Sequence, residues 1–305
     1  MSSPPVPSHS NPNLQRSLQY YQKGVLQPEA WFRIVEQDYT QLIAAINWQA
    51  VFPKQQADFQ LLDVGCGTGK FPKMLQSHLP PTLRVHYDYL DPSHYCLATC
   101  QQALKPPFLP RHAWQTTLEH AQDVITPGTY DLAWAIQSLY CLEQANVRTA
   151  LKQLMQAVHP ARGTACLLLA KREAFFPKVH QIFFEHCAEH KPPPYLSAES
   201  VVTALGEIGA LSVVRELPCT HTISIREDRL LEQYLQQSVM DTMPLPKWRQ
   251  HPKLREFLEA HRQDDAYQFP NPYWLILSVP SSAGQAAKHR LQNYLSSVTP
   301  SRQAR

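Results

Sequence analysis

Three glycines, Gly65, Gly67 and Gly69, follow directly on an apolar run containing Phe59, Leu61, Leu62 and Val64. The whole chain of 305 residues has only nine glycines. Glycine is needed where φ turns positive or where a ligand must approach the main chain closely. A cluster this tight therefore predicts a ligand cradle between a strand and a helix. An αL-rich turn with no ligand is the simpler alternative. Spacing excludes two common cradles. A P-loop requires G-x-x-x-x-G-K-[ST], but Lys70 is followed by Phe71 and no glycine lies five residues before Gly69. A dinucleotide fingerprint requires G-x-G-x-x-G, and the pattern here is G-x-G-x-G. A second apolar run ends in Asp91-Pro92-Ser93. A carboxylate at that place can accept both hydroxyls of a ribose, or it can cap the helix that follows.

The elements that must position these residues read as an alternation. Strands are expected at 59–64, 83–90, 111–116, 130–136, 164–170, 211–217 and 273–279. Helices are expected at 70–79, 93–104, 143–159, 175–190 and 198–208, with charged helical sequence over 226–265. Such alternation predicts a mainly parallel sheet covered on both faces. Ligands of such sheets bind beyond the carboxyl ends of the strands. Gly65 to Gly69, Asp91, Gln115 and Gln137 all fall at such ends. Ahead of the sheet, Pro28 opens a helix to about Trp48, with Trp31, Ile34, Val35, Leu42 and Ile46 as its apolar stripe. It reads as a helical cap that packs on the core, closes over a substrate, or does both.

Bulk properties narrow the function classes. Net charge is +3 and charged residues make up 17%, too weak a field to draw nucleic acid or an anionic membrane. No apolar run is long enough for a transmembrane helix. The first residues lack the basic and apolar regions of a signal peptide. Seven cysteines, an odd number with no C-x-x-C, predict reduced thiols and a cytoplasmic setting. No metal site is expected.

Asp63 followed by G-C-G-T-G resembles motif I of class I S-adenosylmethionine (SAM) methyltransferases. The resemblance extends to the histamine N-methyltransferase family over roughly residues 14–279. YLDPSHY at 89–95 is similar to its ribose-binding segment, and HAWQTTLEH at 112–120 to its adenine-side loop. YDLAWAIQSLYCLEQ at 130–144 is similar to the stretch ending strand four in Ile-Gln-x-Leu-Tyr. YLSAESVVTALGEIG at 195–209 and FPNPYW at 269–274 match the later segments. The sequence departs from the family at Cys141, at Pro272 and around Phe175.

This resemblance implies an α/β, Rossmann-like methyltransferase sheet, mostly parallel with an antiparallel last strand, helices on both faces and a helical substrate cap. It implies an enzyme of class EC 2.1.1.- that uses SAM and releases S-adenosyl-L-homocysteine (SAH). The implied cofactor residues are Asp63, Gly65, Cys66, Gly67, Gly69, Asp91, Pro92, Gln115, Thr116, Ile136 and Gln137. The implied clamp on the substrate is Glu29, Gln137 and Asn271, with Tyr140 beside the reacting atoms. Tyr20, Trp31, Phe175 and Phe176 are the implied aromatic lining of the pocket. Residues 1–13 read as a disordered N-terminus, 14–280 as one methyltransferase domain and 281–305 as a polar tail. Within that domain, 14–52 is the cap, 53–170 the cofactor core and 171–280 the substrate side.

The implied reaction is methyl transfer to nitrogen of a small amine or imidazole, with neither nucleic acid nor membrane as partner. An O-methyltransferase acting on a small carboxylate or a peptide C-terminus is the first rival. It predicts a cationic pocket, and no Arg or Lys stands at the three clamp positions. A non-catalytic SAM-fold binding protein is the second. It predicts a damaged cofactor motif, whereas Asp63, Gly65, Gly67, Gly69 and Asp91 are all present. Asn271-Pro272-Tyr273-Trp274 is similar to the N-P-P-[YF] motif of enzymes that methylate exocyclic base amines. That motif follows strand four, where this chain has QSLY instead. The acceptor molecule and the oligomeric state are left open.

Overall fold

A computed structural model describes residues 11–22, 28–53, 58–187 and 191–296, with the side chains of 21–22, 28–31 and 285–286 left aside. Most of the expected N-terminal tail, and the end of the C-terminal one, lie outside the described residues. The chain opens with α1 (Pro12–Gln22), α2 (Pro28–Ala45) and the short α3 (Trp48–Val51). The alternating region is β1 (Phe59–Val64), α4 (Lys70–Leu75), β2 (Val85–Leu90), α5 (His94–Ala103), β3 (Phe108–Trp114), β4 (Leu132–Ile136), α6 (Val147–Ala157) and β5 (Thr164–Ala170). There follow α7 (Phe175–Cys187), α8 (Ala198–Glu207), β6 (Leu211–Leu217), β7 (Thr220–Ser224), α9 (Asp228–Val239), α10 (Leu245–Gln250), α11 (Pro252–Ala260), β8 (Arg262–Gln263), β9 (Ala266–Pro270), β10 (Tyr273–Val279) and α12 (Gly284–Tyr294).

Seven strands form one sheet in the order β3-β2-β1-β4-β5-β10-β6. The pairings of β1, β2, β3, β4 and β5 are parallel, and β10 runs antiparallel to both β5 and β6. This is the Rossmann-like methyltransferase sheet with its antiparallel last strand. The central strands are buried on both faces, as their near-continuous apolar runs require. Successive side chains alternate between faces. Leu61, Trp134 and Leu168 enter one core together with Phe52, Phe71 and Leu291. Leu62, Ala133 and Leu167 enter the other with Leu151, Leu154 and Val201 of α6 and α8. A third cluster joins α7, α9, α10 and α11 to the small β7-β9-β8 sheet and to Ile34 of α2.

The strand order reverses beside β1, with β2 on one side and β4 on the other. A reversal of this kind opens a crevice at the carboxyl ends of the two central strands.

Two parts of the sequence reading change. The charged stretch after β6 is helical as expected, but it is framed by β7 and β9, too short and polar to show as strands. Residues 284–294, expected as part of a loosely attached tail, form α12. Its Ala287 and Leu291 are buried and it packs on β6 and α3. Two small apolar positions four residues apart make a stripe too thin to stand out in a polar sequence.

Candidate cofactor and substrate site

The glycine turn leaves β1 and is tied at once to both neighbouring strands. Gly65 N and Cys66 N donate to Leu90 O at 2.8 and 3.1 Å. Ser138, just past β4, donates its hydroxyl to Val64 O at 2.6 Å. Gly65 has φ +69°, and a Cβ built there would stand 2.5 Å from Ser138 Cβ. Its glycine is therefore required by protein packing. Gly67 differs: it has φ +51° with nothing within 4 Å of a built Cβ, and it lines the cavity. Gly69 is the αL N-cap of α4 and lies behind the cavity wall.

The cavity sits over the crevice between β1 and β4. Asp63, Gly65, Cys66, Gly67, Asp91, Pro92, Ile136, Gln137, Tyr140 and Phe176 all line it. Asp91 is buried. Its Oδ2 accepts from Gly67 N at 3.0 Å and its Oδ1 from Ser93 N at 2.8 Å. Helix α5 is capped by Ser93, whose side chain accepts from Cys96 N. The capping role open to Asp91 is thus filled by its neighbour. Each carboxylate oxygen retains acceptor capacity beyond its backbone bond. Burial, opposed by those two N–H donors, pushes the Asp91 carboxyl up to about 6.

Asp63 is buried beneath the turn, and Tyr87 donates its hydroxyl to it. Burial outweighs that hydrogen bond and pushes the Asp63 carboxyl up to about 7. Native carboxyls that hold protons more tightly than unfolded ones bind more protons between the two pKa values, so stability falls as pH rises through that window. The window runs from about 4 to 7 for Asp63 and from about 4 to 6 for Asp91. Asp63→Asn should therefore gain stability relative to wild type as pH rises from 4 to 8, by on the order of 3 kcal/mol. Urea unfolding midpoints of the two proteins across that range check this, and a constant difference would contradict it.

The residues present fit a SAM-sized ligand. Thr68 Oγ1 is buried without a hydrogen-bond partner among the described residues, in the wall of the same cavity. Open space over Gly67, the orphaned Thr68 hydroxyl and the buried Asp91 carboxylate together supply room, a polar anchor and a hydrogen-bond acceptor.

Several predicted residues stand elsewhere. Gln115 donates to Pro92 O at 3.3 Å, and the Thr116 hydroxyl is turned to the carbonyls of Thr117 and His120. Neither lines the cavity. Phe175 is not a pocket residue. It is buried in the third core against Phe269, with ring centroids 4.3 Å apart, and against Tyr234 and Phe257. Its neighbour Phe176 turns to the cavity instead. Tyr20 is also buried away from the cavity, where burial and Asp241 push its hydroxyl up to about 12. Asn271 is fully buried behind the wall. Its Oδ1 accepts from Phe176 N at 3.4 Å, and its Nδ2 donates to the Tyr273 hydroxyl. Glu29 and Trp31 belong to α2, but their side chains lie outside the described residues.

Sequence reasoning missed Asp38, His221, Tyr39, Tyr195 and Tyr273. The last three are wall aromatics, and Tyr195 meets Tyr140 edge to face at 5.3 Å. Asp38 is fully buried, and Gln137 Nε2 donates to its Oδ2 at 3.0 Å. A signal for it existed: Asp38 falls within the apolar stripe of α2, between Val35 and Leu42. His221 likewise alternates with Ile223 on the inward face of β7. Among the described residues no group of three or more His, Cys, Asp or Glu is placed to hold a metal ion. No described helix is long and apolar enough to cross a membrane.

Residues 62–164 match the family model described as a methyltransferase domain. No curated protein matches the chain in sequence. Among solved structures, a putative methyltransferase from Bacillus halodurans is 12% identical over 79% of this chain and 96% of its own, with a TM-score of 0.52. Magnesium protoporphyrin IX methyltransferase from Synechocystis, solved with SAH, is 12% identical over 88% of this chain and 99% of its own, at 0.51. The YcgJ protein of Bacillus subtilis is 10% identical over 80% and 98%, also at 0.51. These structures share the sheet, and the matched family segment runs from the end of β1 to the start of β5, through the glycine turn, Asp91 and Gln137. The chain has the fold of the class I methyltransferases, and the segment that builds its crevice matches a methyltransferase domain.

Proposed function

We propose that the protein methylates a nitrogen of a small amine- or imidazole-containing molecule. The observation that carries this reading is Gln137, which lines the cavity just beyond the cofactor turn, among aromatic walls, with its Nε2 donor already engaged by Asp38. SAM, when bound, supplies an electrophilic methyl group on a sulfonium. Asp91 accepts the ribose hydroxyls, and the Gly67–Thr68 backbone approaches the ligand from below. Tyr39, Tyr140, Phe176, Tyr195 and Tyr273 exclude water and present π faces that suit a cation. The chain's task is to orient two reactants, which can supply much of the rate. An imidazole, with a pKa of about 6.5, is mostly neutral at pH 7 and needs no strong base. An alkylamine near 10 must first lose a proton, which desolvation in this cavity favours.

In this reading Gln137 orients the acceptor, Glu29 pairs with a cationic part of it, and Asn271 acts through Tyr273. Transfer of labelled methyl from SAM to a panel of imidazoles, amines and carboxylates, read by mass spectrometry, tests it. Transfer to nitrogen is expected, with KM raised about tenfold in Gln137→Ala for a lost hydrogen bond. Glu29→Gln should raise KM for a cationic acceptor, and unchanged kinetics would remove Glu29 from the site.

One observation favours the carboxylate reading. Lys70 is the only Lys, Arg or His among the described residues lining the cavity, and its ammonium sits 4.2 Å from the Phe32 ring centroid. Methyl transfer to carboxylates alone, lost in Lys70→Met, would replace the nitrogen reading.

A further inference from the structure

Behind Gln137 lies a buried polar network that no part of the cofactor site requires. Asp38 of α2 and His221 of β7 are both fully buried. His221 Nε2 lies 2.9 Å from Asp38 Oδ1, and its Nδ1 lies 2.7 Å from the Tyr234 hydroxyl. The other carboxylate oxygen takes the Gln137 amide at 3.0 Å. The hydroxyl of Tyr273, a wall residue, accepts from Asn271. One carboxylate thus links the cap helix, the small sheet and the end of β4. Gln137 is also one of three non-glycine residues with positive φ among the described residues, at 52°. Such strain persists only where surroundings enforce it, and it clusters at functional sites.

A carboxylate offers acceptors only, so the amide nitrogen of Gln137 is the end that faces it. The carbonyl oxygen of Gln137 is then the end left for the cavity. We propose that Asp38 is the positioning residue of the acceptor site: by holding Nε2 it turns the Gln137 oxygen to the cavity, so that the site selects a methyl acceptor carrying an N–H donor. This rests on the reading of Gln137 as the clamp. The two ends of an amide differ by a half-turn about one bond, and a buried carboxyl oxygen as partner chooses between them. His221 and Tyr234 hold Asp38 in turn.

The test uses the SAH-loaded protein with two probes of equal size. 4-Methylimidazole has an N–H donor and 1-methylimidazole has none, while both retain the nucleophilic nitrogen. Dissociation constants are measured by NMR titration, and SAH affinity by calorimetry. Wild type should prefer 4-methylimidazole by about tenfold, as one hydrogen bond in a dry site allows. In Asp38→Leu the preference should fall to about one, with SAH affinity unchanged. Should that variant not fold, the isosteric Asp38→Asn, whose amide can face Gln137 either way, should lower the preference at least threefold. Equal binding of the probes to wild type, no binding of either, or a preference retained in a folded Asp38 variant would overturn the proposal. Gln137→Ala separates the two levels. If it abolishes the preference while Asp38 variants keep it, the clamp stands and this inference fails. If Gln137→Ala keeps the preference, the clamp itself fails.

Discussion

Asp91→Ala should bind SAH about a hundredfold more weakly than wild type, a loss of roughly 2.7 kcal/mol. Hydrogen bonds to a charged acceptor contribute about 1.5–3 kcal/mol each, and a ribose offers two hydroxyls to this carboxylate. The substitution also frees Gly67 N and Ser93 N, which now donate to Asp91 at 3.0 and 2.8 Å. The glycine turn would lose the strut that holds it against the start of α5. Asp91→Asn keeps one acceptor oxygen and should lose about tenfold, since one hydrogen bond is worth about 1 kcal/mol or more. Calorimetric titration with SAH measures both. An Asp91→Ala protein within threefold of wild type would remove Asp91 from the ribose site.

Gly65→Ala should damage the fold, whereas Gly67→Ala should damage ligand binding. At Gly65 the added methyl meets Ser138 Cβ at 2.5 Å while φ stays at +69°. Overpacking costs about 1–3 kcal/mol and a left-handed non-glycine residue about 1–2. The sum, about 2–5 kcal/mol, corresponds to a fall in Tm of roughly 10 °C. Ser138→Gly removes the opposing Cβ and should recover part of that loss in the double variant. At Gly67 only the left-handed conformation is penalised, so Tm should fall by a few degrees, roughly 1–2 kcal/mol. Its methyl stands in the space over the turn, and SAH affinity should drop. Equal Tm losses in the two variants would show that both glycines serve packing alone.

The contrast marks what the sequence could carry. A turn after an apolar strand and an acid at the next strand end are local patterns, and both take their places at the crevice. Gln137 is legible for the same reason. Asn271 and Phe175 have the expected residue types but stand behind the wall, because a type says nothing about which side of a layer it faces. Phe175 and Phe176 are adjacent, and consecutive helical residues diverge by about 100°, so one enters the third core and the other the cavity. Asp38 and His221 lie 183 residues apart. Each looks like an ordinary polar interruption of an apolar pattern until the fold pairs them. The strands β7 and β9 and the helix α12 hide behind short or thin apolar signals that tertiary packing completes.

Strand β10 enters between β5 and β6, and its first residue is Tyr273 of the cavity wall. During synthesis, β1 to β5 with their helices can pair as soon as they emerge, since their contacts are close in sequence. The cofactor crevice is then in place while the edge of β5 is still unpaired. That edge stays open until residues 273–279 have left the ribosome, and unpaired edges of half-made sheets invite aggregation. A nascent chain that binds SAM early would hold its first five strands together through this interval. Tyr273 joins the cavity wall only when β10 is in place, so the crevice lined by Gly67 and Asp91 precedes the complete wall.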